Sequence, residues 1–597
     1  MRNLKSFFKK TLYISILLFF IWACQGGREA NRQQNIKPLG NIESGKAGEE
    51  KHSNIADKST ASPPPSNLDV LNNLSKLYLS QSNALQSELS RERQQLLMEH
   101  KELLQQRPNN ANKQDEEDGN FNTEEYSKIV ENQFQNPKNA PLSTFSIDVD
   151  KASYSNSRRM IINGQMPYKD AVRIEEFVNY FDYEYPNPTG EHPFSIITEV
   201  SSCPWNPENQ LVHIGLQGKK LDYDKLAPSN LVFLIDVSGS MAGENRLPLL
   251  KSSLKLLINE LSEKDKIAIV VYAGAAGLVL PSTPASEKSK IIKVLDKLEA
   301  GGSTAGGQGI KLAYQVAKEN FIAEGNNRII LATDGDFNVG VSSTSELVRL
   351  VEEKRKEGIF LTLCGFGMGN YKDDRMEEIA KNGNGNYFYI DNINEAKKVF
   401  VKEMRATLFT IAKDVKIQVE FNPAKVQAYR LIGYENRMLK DVDFNDDKKD
   451  AGELGAGHTV TALYEIIPVG VKSEYLKSVD DLKYQSNQNT NAANNDELMT
   501  IKFRYKKPSE DTSQLMTHVL KDKSKKLEET SDNFRFSASV AEFGLLLRDS
   551  EFKGNANYNQ IISLAKGAKG NDSEGYRAEF IQLVENCQLM QGEKTQD

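Results

Sequence analysis

Cysteine, histidine and tryptophan are scarce in this 597-residue chain, and no stripe of one charge runs through it. Four cysteines (Cys24, Cys203, Cys364 and Cys587) are too few for a disulfide-built scaffold of this length. The six histidines are scattered, with no H-x-x-x-H pair, which argues against a zinc hydrolase. A net charge of −7, without basic segments interleaved with aromatics, gives no electrostatic case for nucleic acid. The familiar catalytic loops are missing too. Gly302 to Gly307 is followed by Gln308 and Gly309, so the Lys-Ser/Thr of a phosphate-binding loop is absent. No G-x-S-x-G surrounds Ser238, and a phosphotransferase would want a carboxylate where Ser238 stands. No sequence feature supports catalysis, and a non-enzymatic protein is expected. The chain is too long for one core, and the usual ~100–200 residues per domain implies three or four units.

What is present begins at the N-terminus. Arg2, Lys5, Lys9 and Lys10 precede an apolar run from Thr11 to Trp22, which ends at Ile21-Trp22-Ala23-Cys24. A basic segment and a short apolar run have the layout of a secretory signal and are too short to span a membrane as a mature helix. Ala23-Cys24 looks like a bacterial lipoprotein cleavage site, with Trp22 departing from the usual small residue and Ile21 from the commoner Leu. Residues 1–23 are therefore expected to be a lipoprotein signal peptide, with Cys24 carrying the lipid. Plain secretion and an uncleaved anchor are the alternatives. Gln25, not Asp, follows the cysteine, so an outer-membrane lipoprotein is expected if the cell has two membranes. Cys364 lies in the apolar run Ile359 to Cys364 and reads as a buried thiol, while one bridge between Cys203 and Cys587 stays open.

Residues 24–65 are polar, close on Pro63-Pro64-Pro65, and read as a disordered tether. Leucines recur near helical spacing over 66–107, predicting an amphipathic helix, either a short coiled coil or a helix packed on the chain's own domains. A linker is expected over 108–140, then a segment of 141–190 containing Asp148-Val149-Asp150, read as a strand end and turn, and a helix from Arg173 to Phe181. Phe194 to Val200 and Leu211 to Gln217 alternate as strands of a half-buried antiparallel sheet within 191–228. Across 229–405 strands and helices alternate regularly, from strand 231–235 to a helix at Asn394 to Leu408. That pattern predicts a mostly parallel, doubly wound sheet with helices on both faces. From 406 to 530 the alternation of Val415 to Phe421 and similar runs predicts a β-rich domain, with Lys483 to Glu497 as a mobile loop. Residues 531–597 read as a helical C-terminal region. Strands on both sides of 229–405 lead to the expectation that 190–220 and 410–505 form one β-sandwich from which the α/β domain projects.

Two of the α/β strands end in oxygen-bearing side chains. The run Leu231 to Ile235 closes on Asp236-Val237-Ser238-Gly239-Ser240, and Leu331-Ala332-Thr333 closes on Asp334-Gly335. Thr304 lies between them in Gly301-Gly302-Ser303-Thr304-Ala305-Gly306-Gly307. Asp, Ser and Gly are ordinary turn and cap residues, so Asp236 to Ser240 alone also reads as a turn and helix cap. Three such pieces, each where a strand or helix gives way to a loop, are a stronger signal. Oxygen-only donors suit a hard divalent cation. Ligands of open α/β sheets bind outside the carboxyl ends of the strands, where Asp236 and Asp334 fall.

These residues resemble the von Willebrand factor type A (VWA) family and its metal-ion-dependent adhesion site, matched at Asp236, Ser238, Ser240, Thr304 and Asp334. The resemblance implies that Ser238, Ser240 and Thr304 touch the metal directly or through water. Asp236 and Asp334 would act largely through bound water and by orienting the hydroxyls. One coordination position would stay open for a partner's carboxylate. Mg²⁺ is the expected ion, and Mn²⁺ would satisfy the same oxygens. Residues 141–190, through Tyr154, Arg173 and Glu176, are similar to a segment that often precedes this domain in bacterial proteins. The tail resembles a C-terminal domain of unknown function that often follows it. The expected function is an exported, lipid-anchored surface protein that binds an acidic residue of a protein partner through the metal. The alternative is an envelope assembly protein in which the metal is only a structural brace.

Overall fold

The computed structural model describes residues 124–221, 227–302, 306–335, 344–368, 373–404, 409–476 and 490–592, all within one compact unit, Glu116–Asp597. The signal peptide, Cys24, the tether and the helix expected over 66–107 lie outside the described residues. Among the described residues, no helix is long and apolar enough to cross a membrane.

The chain enters through strand β1 (Leu142–Ser146), helices α1 (Ala152–Ile162) and α2 (Ile174–Tyr180), and the hairpin strands β2 (Phe194–Cys203) and β3 (Asn206–Gly218). The α/β segment follows. It opens with β4 (Ser229–Asp236), α3 (Leu247–Glu260), β5 (Lys266–Tyr272), β6 (Ala276–Pro284), α4 (Lys288–Asp296) and α5 (Gly306–Glu319). It continues with β7 (Asn326–Thr333), α6 (Thr344–Lys356), β8 (Ile359–Phe366), α7 (Asp373–Asn382), β9 (Tyr387–Ile390) and α8 (Ile393–Lys397). These strands stand in the order β6-β5-β4-β7-β8-β9, parallel throughout except β6, which returns antiparallel beside β5. The period of two along β4 explains the layering. Leu231, Phe233 and Ile235 join the core under α3, α4 and α8, whereas Val232 and Leu234 join the core under α5, α6 and α7. A strand apolar on both faces has to be covered by helices on both.

The last helix of this segment departs from the single helix expected over Asn394 to Leu408: α8 passes into a wider π turn at Lys398–Glu403. The turn carries Lys398, which is 1% exposed, between the rings of Tyr180 and Tyr576, each 4.8 Å from its Nζ. Such local widening accommodates a side chain that a regular helix would point elsewhere.

Beyond it come β10 (Thr410–Phe421), β11 (Val426–Ile432), β12 (Gly452–Gly455), β13 (Thr459–Pro468), β14 (Glu497–Lys506) and β15 (Gln514–Lys521). Helices α9 (Asp532–Arg548), α10 (Tyr558–Gly567) and α11 (Tyr576–Gln591) complete the described chain. One antiparallel sheet runs β1-β10-β14-β15, with β12 also on β10, and a second runs β11-β13-β3-β2. Strands from before and after the α/β segment therefore pair directly, Leu142 opposite Glu420 and Gln217 opposite Thr459. Phe145, Ile417 and Val419 of the first sheet share a core with Ile214, Leu216 and Tyr464 of the second.

Residues 532–591 form the helices expected there and pack against α1 and α2 in one apolar layer, with Phe181 in edge contact with Phe536 at 4.9 Å and with Phe580 at 5.6 Å. Residues 124–140 also depart from a free linker: Gln135 bridges to Tyr429, and Asn132 donates to the Leu431 and Gly433 carbonyls. Cys203 and Cys587 are free and buried, so the bridge left open by the sequence is not formed. Asp150 belongs to no turn of its own: its carboxylate accepts from the Tyr387 backbone N–H at 2.9 Å and from Arg437 at 3.0 Å.

The start of α9 is capped by Ser531, whose Oγ accepts the Phe534 N–H at 3.1 Å and donates to the Glu199 carboxylate of β2. Ser531→Ala removes the cap and this tie together. It is expected to cost about 1–2 kcal/mol, read as a lower urea midpoint; an unchanged midpoint would show the cap to be dispensable.

Candidate metal centre

β4 and β7 lie side by side, Ile235 opposite Ala332, and point the same way. The chain leaves β4 toward β5 on one side and meets β7 on the other, so their carboxyl ends mark the topological switch point of the sheet. Asp236 ends β4 and Asp334 follows the last residue of β7. Asp236 has no exposed surface; its Oδ1 accepts the Ser238 N–H at 2.9 Å and its Oδ2 lies 3.4 Å from Thr333 Oγ1. Ser238 Oγ stands 3.0 Å from Ser240 Oγ across a short helical turn, Gly239–Ala242. The Gly239 N–H donates to the Gly302 carbonyl at 3.0 Å, and the Gly301 N–H to the Val237 carbonyl at 2.7 Å. Gly302 takes φ +85°, a left-handed conformation that its lack of a Cβ permits. Two loops are thereby zipped together up to Gly302; Thr304 lies outside the described residues.

Burial holds the Asp236 carboxyl above its usual range, and the neighbouring charge of Asp334, 1% exposed, adds to the rise. Two buried carboxylates of like charge and two hydroxyls, with no nitrogen or sulfur donor among them, fit a hard divalent cation. The structure thus brings Asp236, Ser238, Ser240 and Asp334 to one edge of the sheet.

A second group has metal-like spacing: carboxylate oxygens of Asp373, Asp374 and Glu377 lie within 4.8 Å of one another. Arg173 already meets all three, with Nη2 at 3.4, 3.2 and 3.0 Å from them, and Arg437 takes the other oxygen of Glu377 at 2.9 Å. This is an ion-pair junction between α2, α7 and the turn after β11. Arg246, which no sequence motif of its own marks, also stands at the centre. Its guanidinium donates to the Ser240 carbonyl at 2.5 Å and lies 3.6 Å from Asp334 Oδ2. A signal for it lies in the glycine-rich run Gly365-Phe366-Gly367-Met368-Gly369, in which Gly367 packs against Arg246.

Three family models match, described as von Willebrand factor over 120–213, von Willebrand factor type A domain over 230–402 and uncharacterized protein YfbK, C-terminal, over 406–590. The uncharacterized protein YfbK of Escherichia coli (strain K12) is 45% identical over 474 residues, spanning 78% of this chain and 81% of that one. Inter-alpha-trypsin inhibitor heavy chain H4 of Homo sapiens is 31% identical over 150 residues, 24% of this chain and 16% of that one. Among solved structures, the von Willebrand factor type A protein from Catenulispora acidiphila covers 66% of this chain and 91% of its own at 15% identity, with a TM-score of 0.36. With four-fifths of the Escherichia coli protein matched at that identity and all three regions in register, the chain belongs to the YfbK family of proteins, with a VWA domain and a YfbK C-terminal domain.

Proposed function

We propose that this protein is an exported, lipid-anchored binding protein whose VWA domain engages an acidic residue of a protein partner through a divalent cation. Asp236, Ser238, Ser240, Thr304 and Asp334 would hold the ion, Mg²⁺ or Mn²⁺, and Cys24 would carry the lipid in the outer membrane of a two-membrane cell. The bound ion would supply an electrophilic point that takes up a carboxylate oxygen. The chain's own residues would hold that point at the carboxyl end of the sheet and orient its hydroxyls. The observation that carries the reading is the oxygen-only set at the switch point of the sheet, with Asp236, Ser238 and Asp334 buried and Ser240 partly exposed. VWA domains commonly act in protein–protein interaction, which supports a binding role over a catalytic one. The same reading treats 229–405 as a domain inserted in a two-sheet sandwich, supported by the pairing of β3 with β13 and of β1 with β10.

The brace alternative, an envelope assembly protein with a purely structural metal, draws support from the ion pairs that tie the VWA domain to its surroundings at Arg173 and Arg437. The two readings part on one experiment. Capture of envelope proteins by the bait protein in Mg²⁺ is compared with capture in chelator and with Ser238→Ala, alongside calorimetric titration with Mn²⁺. Binding by an adhesion-type site predicts that Ser238→Ala weakens Mn²⁺ at least about tenfold, a loss of ~1.4 kcal/mol, and that the captured band vanishes with it. A band that persists in every lane while Mn²⁺ binding is lost would move the metal to the brace role.

A further inference from the structure

Arg246 stands at the start of α3, and its side chain touches three loops at the carboxyl end of the sheet, two of which carry residues of the candidate metal centre. Nη1 meets the Ser240 carbonyl, 2.5 Å away in the loop after β4, and lies 3.6 Å from Asp334 Oδ2 after β7. Nη2 donates to the Met368 carbonyl after β8 at 2.7 Å. The third loop is shaped to admit it. Gly367 has φ +77°, a conformation that favours glycine, and a Cβ there would fall 2.3 Å from Arg246 Nε, so any larger residue would displace Arg246 from this position. The Gly367 carbonyl also accepts the Tyr389 hydroxyl from the end of β9, which fixes the loop from behind. At the rim the Met368 side chain is 48% exposed.

A guanidinium offers a planar fork that can serve several oxygens at once, which a lysine ammonium cannot do in fixed geometry. Here the fork spends its bonds on two carbonyls while its charge faces a buried carboxylate. Asp334 is the same carboxylate that a divalent ion at this site would draw on. A metal and a guanidinium sharing one carboxylate repel each other at contact range, where the interaction is strong even in a partly polar medium.

We propose that Arg246 is the built-in counter-cation of the metal centre: it closes the three loops on the metal-free site and competes with the divalent ion for Asp334. The inference rests on the metal reading above and adds a consequence. Ion uptake loosens Arg246 from Asp334, and the segment carrying Met368 at the binding rim relaxes with it, so ion occupancy is transmitted to the surface that a partner would meet.

The test uses the full chain and Mn²⁺ alone as the probe, with Arg246→Gln and Arg246→Lys beside the wild type. Arg246→Gln is expected to bind Mn²⁺ about tenfold more tightly, the scale of removing one neighbouring charge after screening, and to unfold at a lower temperature in chelator. Arg246→Lys keeps the charge, so its Mn²⁺ affinity should stay near that of the wild type. In the wild type itself, amide exchange over 366–368 should quicken when Mn²⁺ is added. Wild-type binding with Arg246→Gln no tighter, or exchange over 366–368 unaltered by Mn²⁺, overturns the proposal and leaves the metal site standing. No Mn²⁺ binding by any form overturns both.

Discussion

Replacing Glu542 with methionine is expected to stabilise the protein, by about 2–4 kcal/mol above pH 8 and far less near pH 5. Glu542 lies in α9 with no exposed surface, inside the apolar layer that α9 shares with α1 and α2. Neither carboxyl oxygen has a well-formed hydrogen bond, and the Asn557 backbone N–H gives only weak relief. Burial pushes its pKa from 4.5 up to about 8. The folded chain therefore holds a proton that the unfolded chain releases above its own, lower pKa. The contribution of this group is fully present below about pH 4.5 and is lost as pH rises through about 8. The ceiling on that loss is roughly 4–5 kcal/mol. Asp150 and Glu453, both pushed up to about 7 by burial first, act in the same sense. His213 and His458 act oppositely: burial lowers both to about 4, so the stability of keeping them neutral is present above about 6.5 and lost as pH falls through 4. Urea midpoints of wild type and variant at pH 5, 7 and 9 decide the matter. Parallel profiles across that range would exonerate Glu542.

A loss of about 3–5 kcal/mol is expected from Arg158→Met, the largest effect predicted for a single charge here. Arg158 is 1% exposed in α1 and its guanidinium is shared out completely. Nε and Nη2 donate to Asp391 at 2.8 and 2.5 Å, Nη2 also to Glu395 at 2.7 Å, and Nη1 to Glu579 at 3.0 Å and the Tyr180 hydroxyl at 2.8 Å. Removing the cation takes from Asp391 and Glu395, 4% and 2% exposed, their shared countercharge and leaves Glu395 only the Tyr180 hydroxyl and the more distant Lys398. The diagnostic result is recovery. Adding Asp391→Asn and Glu395→Gln to Arg158→Met should restore most of the lost midpoint, because stranded charge, not lost packing, is the cause. A triple variant no better than the single one would assign the effect to packing.

The parts of the fold that could be read in advance are those whose apolar pattern is decided by position. The β4 run Leu231 to Ile235 is apolar on both faces because helices cover both, and its carboxyl end is marked by the change to Asp236. The alternation of Val415 to Phe421 likewise announces a strand with one face on a core. Helix α1 escaped notice for the opposite reason. Its sequence, Ala152 to Ile162, is rich in serine and arginine, yet Ser153, Ser155, Asn156, Ser157 and Arg158 are all buried. Partners from α2, β9, α8 and α11 satisfy part of that polarity, as Arg158 shows, and no local pattern can report such distant company. Strand β15, Gln514–Lys521, alternates in exposure but carries threonine, histidine and lysine among its apolar residues, as edge strands do. At the metal centre Asp236, Ser238, Ser240 and Asp334 were visible because each follows an apolar strand or its loop. Arg246 was not, since an arginine before a helix is unremarkable until Gly367 is seen to make room for it.

The pairing of early strands with late ones has a consequence for the order in which a growing chain can fold. The segment from β4 to α8 contacts its own neighbours in sequence and supplies nearly all of two cores, one of which Ala152 and Tyr126 join from outside, so most of it can form as soon as it is made. Strand β1 must wait for β10, and β3 for β13. Longest of all waits the aromatic face of α1 and α2: Tyr154, Phe177 and Phe181 stay uncovered until Phe536, Phe543 and Phe580 arrive some four hundred residues later. Wherever the chain emerges to fold, its VWA domain can therefore form while the apolar surface ahead of it stays open, and an escort that shields residues 152–185 over that interval would be needed more than one acting on any later part of the chain.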